Sequence, residues 1–498
     1  MESSLKAISV LDGRYKNMTA ELKDIFSEYG LIRNRVYVEL EWLKFIIKDL
    51  KLTAIQSDSG TKIEGTRIEN STKTDLARSA IEDKGIEESK SDDEAVQSVI
   101  DKLQSVLENF NESDAQKIKD IEKTTNHDVK AVEYFIKEKL VELGLSDIME
   151  WVHFACTSDD INNISYALMV RQGRDIAASY LSDLLGKIEE KALEYKAVPM
   201  MGRTHGQPAT PTTVGKEFVN FAWRLNYELS ILKSAPMQAK INGATGNYNA
   251  HFFVFPEIDW IAAGQRFLSQ NLGLEPLLFT TQINPSAYLS FILHSMVRSA
   301  AVTIDFDRDM WGYISLGYFR QRLKKGETGS STMPHKVNPI DFENSEGNMG
   351  LAISMMEHLA VKLQKSRFQR DLSDSTVLRS LGSVFGYYLI GIKNAMKGLG
   401  KIAVDADTIS KDLDANQELL AEPFQTAMRV YGEENPYERL KDLTRGQRIG
   451  KKDLEDFVNT LEKVPEMFRE KMRNLTPAGY TGVAQNLVDK YFSVKQHI

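Results

Sequence analysis

The sequence predicts an all-α protein organised around a bundle of long helices. The first proline is Pro199 and the 498 residues contain 13 prolines in all, so almost two fifths of the chain lacks the residue that most often ends helices. Several long stretches place apolar residues at the spacing of one helix face. No stretch shows the alternation of strand and helix patterns that a parallel sheet requires.

Composition and charge are those of an ordinary globular protein. The chain is 42% hydrophobic and 27% charged, and its formal net charge of −8 argues against a general nucleic-acid binder. A single cysteine, Cys156, excludes an internal disulfide and a cysteine-based metal cluster, which favours a reducing compartment. The first residues lack the apolar core of a signal peptide, and no uninterrupted apolar run approaches about eighteen residues. We therefore expect a cytoplasmic protein without a membrane span.

The first predicted domain, residues 1–146, combines helical patterns with an insertion. Residues 22–50 repeat apolar side chains at helical spacing, for example Val36, Leu40 and Leu43, and a second helical pattern runs from residue 96 to 110. Between them, residues 56–94 contain no aromatic residue and no proline and are rich in Ser, Thr, Lys, Asp and Glu. Such a segment buries little apolar area, so we expect a mobile surface insertion.

The second predicted domain, residues 147–398, is the most periodic part of the chain. Its pattern predicts long helices over residues 161–197, 212–235, 286–320 and 338–365. At about 1.5 Å per residue, the first of these helices is roughly 55 Å long. Helices of this length predict a bundle, and their apolar surface predicts self-association. Residues 399–498 carry shorter patterns separated by prolines, which predicts a smaller, all-helical third domain.

The loop Gly326–Pro339, G-E-T-G-S-S-T-M-P-H-K-V-N-P, concentrates glycines, hydroxyls and one ammonium group. The glycines predict mobility, and Asn338 followed by Pro339 predicts a helix N-cap and first helical position. This combination suits a lid that closes over an anionic substrate. The alternative interpretation is a polar, glycine-rich loop without a function.

Other polar clusters lie where the predicted helices begin. Thr157 and Asp160 have the spacing of a capping box, and the N–H groups at the same helix start would attract a carboxylate or phosphate. Arg367, Arg370 and Arg379 suit phosphate recognition, although a solvated helix end explains them equally well. The remaining clusters are residues 124–135, 240–251 and 280–285, for which ordinary turn and cap chemistry is the alternative.

Residues 200–213, M-M-G-R-T-H-G-Q-P-A-T-P-T-T, are predicted to form a polar loop that leads into a helix at Pro211. A histidine in such a loop, here His205, is most simply solvated. Its neighbours Arg203, Thr204 and Gln207 favour a binding pocket, because convergent polar groups at helix ends mark such pockets. The sequence has no pair of histidines at the i, i+4 metal spacing and no glycine-rich nucleotide loop, so we expect no metal and no cofactor.

Taken together, these segments resemble the adenylosuccinate lyases, a family within the fumarase/aspartase superfamily. The segment G-S-S-T-M-P-H-K-V-N-P is similar to the superfamily motif G-S-S-x-M-P-x-K-x-N-P. The segments T-T-N-H-D-V-K-A-V-E-Y-F, H-F-A-C-T-S, R-T-H-G-Q-P-A-T-P and R-D-L-S-D-S-T-V-L-R resemble the narrower family. The resemblance covers nearly the whole chain apart from residues 56–94.

The resemblance implies a β-elimination that releases fumarate from adenylosuccinate, giving AMP, and from succinylaminoimidazole-carboxamide ribotide. It implies that Ser330 is the base and His205 the acid, and that Glu343 orients the acid. A serine base needs a dry, cationic environment, which Lys336 would help to supply. His335 remains a competing candidate for the base.

The family also implies a substrate pocket and a homotetramer in which three subunits build each active site. The residues carried over to substrate binding are Arg14, Tyr15, Asn126, His127, Asp128, Thr157, Ser158, Gln282, Lys336, Asn338, Asn344, Arg370, Ser375, Thr376, Val377, Leu378 and Arg379. Two other hypotheses stay open at this point. One is a sister lyase that acts on argininosuccinate or another fumarate adduct, and the other is a catalytically inactive helical scaffold.

Overall fold

The structure is a computed structural model that describes residues 4–52, 55–56, 62–63, 85–322, 333, 335–445 and 449–497. Helices account for most of these residues and the strands are short, which confirms the all-α prediction. The predicted insertion, residues 56–94, and the first part of the loop Gly326–Pro339 lie largely outside the described residues.

The helices of the first half of the chain are α1 (Lys23–Phe26), α2 (Glu28–Lys48), α3 (Gly85–Glu108), α4 (Glu112–Thr125), α5 (Asp128–Glu142), α6 (Ser158–Glu194), α7 (Val214–Ser234), α8 (Asn249–Val254) and α9 (Trp260–Arg266). The helices of the second half are α10 (Ala287–Ser315), α11 (Ile340–Lys362), α12 (Ser373–Leu378), α13 (Leu381–Leu399), α14 (Ala406–Asp414), α15 (Ala421–Val430), α16 (Pro436–Thr444), α17 (Lys451–Asn459), α18 (Glu466–Asn474) and α19 (Ala484–Val494).

The described strands form small two-stranded pairs. They are β1 (Ile55–Gln56) with β2 (Lys62–Ile63), β3 (Pro199–Thr204) with β4 (Gln207–Thr213), β5 (Gln238–Ala239) with β6 (Glu275–Pro276), and β7 (Phe319–Gln321) with β8 (Ile402–Val404). The pair β5–β6 is parallel and the others are antiparallel.

The chain divides into two compact units. The first comprises Met1–Ile176, Ser234–His294 and Met356–Gly386, and the second comprises Ala177–Lys233, Ser295–Met355 and Tyr387–Ile498. The division into domains 1–146, 147–398 and 399–498 stays a prediction.

In the first unit, helices α2 to α5 enclose an apolar core. The predicted face of α2 is buried there, since Val36 and Leu40 are fully buried and Leu43 is 1% exposed. Leu103 of α3 and Phe135 of α5 belong to the same cluster. Each such side chain contributes about 1.5–3 kcal/mol when it is removed from water, so this cluster holds the four helices together.

In the second unit, aromatic rings join α7, α10 and α11. The ring of Phe306 lies 5.3 Å from that of Phe221, 6.0 Å from that of Phe218 and 6.2 Å from that of Phe342, measured between centroids. All four rings are at most 1% exposed. A separate apolar cluster, which includes Phe424, Met428 and Val458, lies among α15 to α18 and forms the core of the C-terminal helices.

The long helices were predicted at nearly the observed bounds. Helix α10 is shorter than predicted, because Arg320 lies in strand β7 rather than in the helix. By length and composition alone α10 is apolar enough to cross a membrane, with a mean hydropathy of 1.3 over the relevant window. However, 61% of that window is buried inside the protein. One such helix is weak evidence for a membrane span, since buried core helices share these properties.

Two local predictions were wrong. Residues 200–213 do not form an irregular loop: they make the hairpin of β3 and β4, and α7 begins at Val214 rather than at Pro211. Helix α11 begins at Ile340, so Asn338 and Pro339 precede it. The Pro339 carbonyl accepts the first hydrogen bonds of this helix, from the N–H groups of Phe342 and Glu343, and Pro339 therefore occupies the N-cap position.

Candidate active site

His205 lies at the tip of the β3–β4 hairpin. Thr204 pairs with Gln207, which leaves His205 and Gly206 as a two-residue turn. Both turn residues have positive φ, 53° and 75°, as a type I′ turn requires. Glycine tolerates this conformation, whereas the histidine is held in it by the hairpin. The turn projects an exposed imidazole from a paired backbone.

Within the second unit, the hairpin is anchored by an ion pair. The Arg203 guanidinium forms an ion pair with Asp412 of α14 at 2.8 Å, and Asp412 also accepts a hydrogen bond from the Tyr318 hydroxyl. Burial opposes the charge on Arg203, but Tyr318 and Asp412 raise the pKa of the guanidinium above its usual range. Strand β3 is therefore fixed two residues before the turn, while His205 itself is exposed.

Lys336, Asn338, Glu343 and Asn344 lie around the start of α11. Lys336 is exposed and Asn338 is half-buried. The Gln321 side chain donates a hydrogen bond of 2.9 Å to the Val337 carbonyl and so holds the segment between these two residues. Ser330, the predicted base, lies outside the described residues, so its position relative to the other groups stays a prediction.

Glu343 is exposed on the first turn of α11 and accepts a hydrogen bond of 3.2 Å from the indole N–H of Trp311. Trp311 is on α10 and is itself 48% exposed. Asn344, the next residue, is also exposed. The predicted role of Glu343, to orient His205, stays a prediction.

In the first unit, His127 and Ser158 are brought together. His127 caps α5, where its Nδ1 accepts a hydrogen bond of 3.1 Å from the Lys130 N–H. In the neutral ring the proton is therefore on Nε2, which lies 3.4 Å from the Ser158 hydroxyl oxygen. The preceding residue, Asn126, ends α4 in the left-handed conformation, with φ of 51°. This sharp turn between α4 and α5 presents His127 toward the start of α6.

Asp128 is held by two arginines. Its Oδ2 lies 2.7 Å from Arg35 and 3.0 Å from Arg379. Burial alone would raise the pKa of Asp128, but the charges of Arg35 and Arg379 and a backbone hydrogen bond lower it below its usual value. Arg379 also approaches Glu28 at 3.4 Å. The predicted binding residues Asp128 and Arg379 therefore form one ionised group.

The start of α6 is built on a buried ion pair. The Asp160 carboxylate accepts a hydrogen bond of 2.8 Å from the Thr157 N–H, which is half of the predicted capping box. Its other oxygen, Oδ1, lies 2.9 Å from Lys240, and neither side chain is exposed at all. The N–H groups of Asn242 and Gly243 also donate to Oδ1. This network fixes the 240–243 segment against Thr157 and the start of α6.

Gln282 and Arg370 are also in contact. Gln282 donates to the Ala244 carbonyl through Nε2 and accepts a hydrogen bond of 3.1 Å from Arg370 through Oε1. The adjacent cavity, of about 520 Å³, is lined by residues 278–281 together with Gln364, Ser366 and others. The Arg370 guanidinium is thus oriented by the Gln282 amide within the first unit.

The remaining predicted binding residues lie in two segments. Ser375, Val377 and Leu378 of α12 are half-buried and Thr376 is exposed. Arg379 lines a cavity of about 210 Å³ together with residues of the 9–27 segment. In that segment Arg14 is exposed, and its guanidinium lies 5.9 Å from the centroid of the half-buried ring of Tyr15.

The candidate residues thus form two sets. The first unit holds the anion-binding candidates around His127, Asp128, Gln282 and Arg370, and the second holds His205, Lys336 and Glu343. In the part of the chain that the structure describes, no group of three or more His, Cys, Asp or Glu side chains is arranged to hold a metal ion.

Comparison with known proteins decides the family. A family profile described as "Lyase" matches residues 13–353, and one described as "Adenylosuccinate lyase C-terminal" matches residues 366–481. The adenylosuccinate lyases of Escherichia coli (strain K12) and Haemophilus influenzae are each 46% identical over 490 residues, which is 98% of this chain and 99% of each relative. The chain belongs to the adenylosuccinate lyase family. The resemblance inferred from the motifs is thereby confirmed.

Other comparisons agree with this family. The adenylosuccinate lyase of Vibrio cholerae is 44% identical over 490 residues, with 98% of this chain and 99% of the relative covered. Among solved structures, a 3-carboxy-cis,cis-muconate lactonizing enzyme from Pseudomonas putida superposes with a TM-score of 0.70 at 18% identity, over 96% of this chain and 97% of that one. At this identity the likeness shows the fold alone.

Some residues of the candidate site were missed by sequence reasoning. Arg35 is 2% exposed and holds both Asp128 and the Asn162 side chain. The sequence did indicate that Arg35 is buried, since it follows Ile32 by three residues and therefore falls on the buried face of α2. Asp159, beside Arg370, carried no such signal because it resembles an ordinary acidic residue in the first turn of a helix.

Proposed function

We propose that this protein is an adenylosuccinate lyase, which releases fumarate from adenylosuccinate to give AMP. We propose the same elimination on succinylaminoimidazole-carboxamide ribotide. The observation that carries the proposal is the 46% identity to adenylosuccinate lyases along nearly the full length of both chains. The polar clusters near the helix starts also occur along the chain in the order that the family resemblance implies, which supports the proposal.

The elimination needs a base, an acid and cationic groups. Ser330 removes the proton from the carbon next to a carboxylate, and the negative charge that develops is stabilised by Lys336 and Asn338. The carbon–nitrogen bond then breaks, and His205 donates a proton to the departing nitrogen. The exposed hairpin tip supports this role for His205, since it offers the imidazole to a bound molecule.

The anionic groups of the substrate are held by the first unit. Arg370 is oriented by Gln282, and its other N–H groups are available to a carboxylate or phosphate. His127 and Ser158 offer a nitrogen donor and a hydroxyl at the start of α6, where the helix dipole also favours negative charge. Arg14, Tyr15 and residues 375–379 complete the proposed pocket.

We propose a homotetramer in the cytoplasm, in which several subunits contribute to each site. A serine base requires a dry, cationic site, but His205 and Lys336 are both exposed on a single chain. Other copies of the chain would exclude water from them.

The test is to mix the purified protein with adenylosuccinate and to follow the ultraviolet spectrum for AMP and fumarate. The wild type should turn over adenylosuccinate, whereas Ser330→Ala and His205→Ala should each lower kcat by about 10²-fold or more. Gel filtration should show an unchanged oligomer. Turnover of argininosuccinate instead would assign the protein to a sister reaction, and near-normal rates in both variants would refute the assigned roles.

A further inference from the structure

Asp159 is a buried carboxyl group with an unused oxygen. Its side chain is 8% exposed, and its Oδ2 has no hydrogen-bond partner within the described residues. It is the second residue of α6, directly after Ser158. Burying an acidic group in this way is costly unless it is paired, so its surroundings indicate what it does.

Arg370 is the charged group that approaches Asp159 from the proposed pocket. Its Nη1 lies 3.9 Å from the Asp159 Oδ1, and the same Nη1 donates a hydrogen bond of 3.1 Å to Gln282. The amide of Gln282 is fixed in turn by its bond to the Ala244 carbonyl. The guanidinium therefore lies between a carboxylate and an oriented amide oxygen, and among the described residues its other N–H groups are left for a ligand.

The other groups that face Asp159 set its charge. Burial raises the pKa of Asp159 to about 6, with Lys240 and Arg370 acting to lower it and Asp374 and Asp160 acting to raise it. The buried phenol of Tyr288 also faces it, since Asp159 contributes to the raised pKa of Tyr288. Asp159 is thus ionised at neutral pH and loses its charge in mildly acidic solution.

We propose that Asp159 is a positioning residue: it holds the Arg370 guanidinium in the orientation that binds an anionic group, carboxylate or phosphate, of the substrate. This inference rests on the proposed function. Without the carboxylate, Arg370 keeps its hydrogen bond to the neutral Gln282 amide but loses the charged group that also restrains it. Substrate affinity should therefore fall, while the proton transfers at Ser330 and His205 are affected less.

The test compares KM and kcat for adenylosuccinate in Asp159→Asn and the wild type between pH 5.5 and 8. At pH 8 we expect KM to rise about tenfold or more with kcat changed less, since the half-buried Arg370 guanidinium loses the buried carboxylate that faces it. At pH 5.5 the ratio of the two KM values should fall to about threefold, because the wild-type carboxyl is then mostly protonated. The substrate phosphate also titrates at about pH 6, but this effect is common to the wild type and the variant and cancels in the ratio of their KM values.

Two further variants separate positioning from a structural effect. In an Arg370→Gln background, Asp159→Asn should change KM by less than about twofold. If Asp159 acts through Arg370, the effects of the two substitutions on KM are not additive. Asp175→Asn, which alters an exposed carboxylate on the same helix, should leave KM unchanged at every pH. If Asp159→Asn does not fold, Asp159→Ser provides a second uncharged variant. A KM ratio near one, or one that is independent of pH, would overturn the inference.

Direct binding keeps this inference distinct from the proposed function. Calorimetric titration with AMP and, separately, with fumarate measures affinity without turnover, and the product whose affinity falls in Asp159→Asn identifies the anionic group that Arg370 binds. Wild-type protein that binds one of these products but does not turn over adenylosuccinate would refute the proposed function alone. Equal affinities of wild type and variant for both products, or no binding of either, would refute the role of Asp159.

Discussion

At the scale of single residues, an ion pair in the first unit holds a loop in an unusual backbone conformation. His153 has a positive φ of 63° and Ala155 one of 56°, just before the start of α6. The His153 ring lies 2.6 Å from Glu39, a carboxylate that is not exposed at all. The indole N–H of Trp42, also on α2, donates to the Phe154 carbonyl. These contacts fix the backbone that leads to Thr157 and Ser158.

The His153–Glu39 pair predicts a pH-dependent contribution to stability. Burial would lower the pKa of His153, but the charge and hydrogen bond of Glu39, with smaller contributions from Glu133 and Asp160, raise it above its usual value. A raised pKa in the folded state means that the contribution is fully present below about pH 6.5 and is lost as the pH rises through the folded-state value.

We therefore expect His153→Gln to lower the free energy of unfolding by about 2–4 kcal/mol near pH 6, and by much less at pH 9. Urea denaturation at several pH values and equal protein concentration measures the difference. His358→Gln, at an exposed histidine of α11, serves as the control. A loss of stability that is the same at every pH would show that the ion pair does not contribute as described.

At the scale of secondary structure elements, one aromatic ring joins three helices of the first unit. Phe26 ends α1, stacks on Phe385 of α13 with ring centroids 4.9 Å apart, and contacts Gly173 of α6. A Cβ atom at Gly173 would lie 2.6 Å from this ring, which is closer than real contacts allow. The glycine is therefore required by packing, although it lies in the middle of a helix where glycine is unfavourable.

Gly173→Ala is expected to destabilise the protein by about 1–3 kcal/mol, since the added methyl group displaces the Phe26 ring. The matched control is Gly186→Ala on the same helix, where a Cβ would have no neighbour within 4 Å. There the gain in helix propensity should stabilise the protein by about 0.5–1 kcal/mol. Thermal unfolding of both variants gives the comparison, and equal shifts in Tm would contradict the packing argument.

At the scale of the whole molecule, the proposed assembly makes a prediction about mixed oligomers. If the acid and the base of one site come from different chains, a mixture of His205→Ala and Ser330→Ala chains contains some sites with both residues intact. With random assembly we expect recovery of up to roughly a quarter of wild-type activity. The experiment is to co-express or to refold the two variants together and to assay adenylosuccinate turnover.

Each variant refolded alone is the control and should stay inactive. Should the mixture show no recovery although mass spectrometry detects mixed oligomers, the two residues would have to come from the same chain. That result would leave the proposed reaction in place and refute only the sharing of sites between subunits.

Much of this protein was predictable from residue order. Apolar side chains at helical spacing located α2, α6, α7, α10 and α11 to within a few residues, because a long amphipathic pattern permits few other structures. The motif around Lys336 and Asn338, and the segment around His205, identify the family from the sequence alone. Local patterns and motifs are properties of neighbouring residues, so the sequence displays them directly.

Contacts between distant segments were not predictable in the same way. The β3–β4 hairpin was interpreted as a loop, because its strands contain prolines and threonines rather than an apolar alternation, and its turn is recognised mainly by two positive φ angles. The contacts of Arg35 with Asp128, of Lys240 with Asp160 and of Asp159 with Arg370 join residues 80 or more positions apart. Such pairs depend on how helices pack and on which charges lose their water, and these are decided by the folded chain rather than by any local pattern.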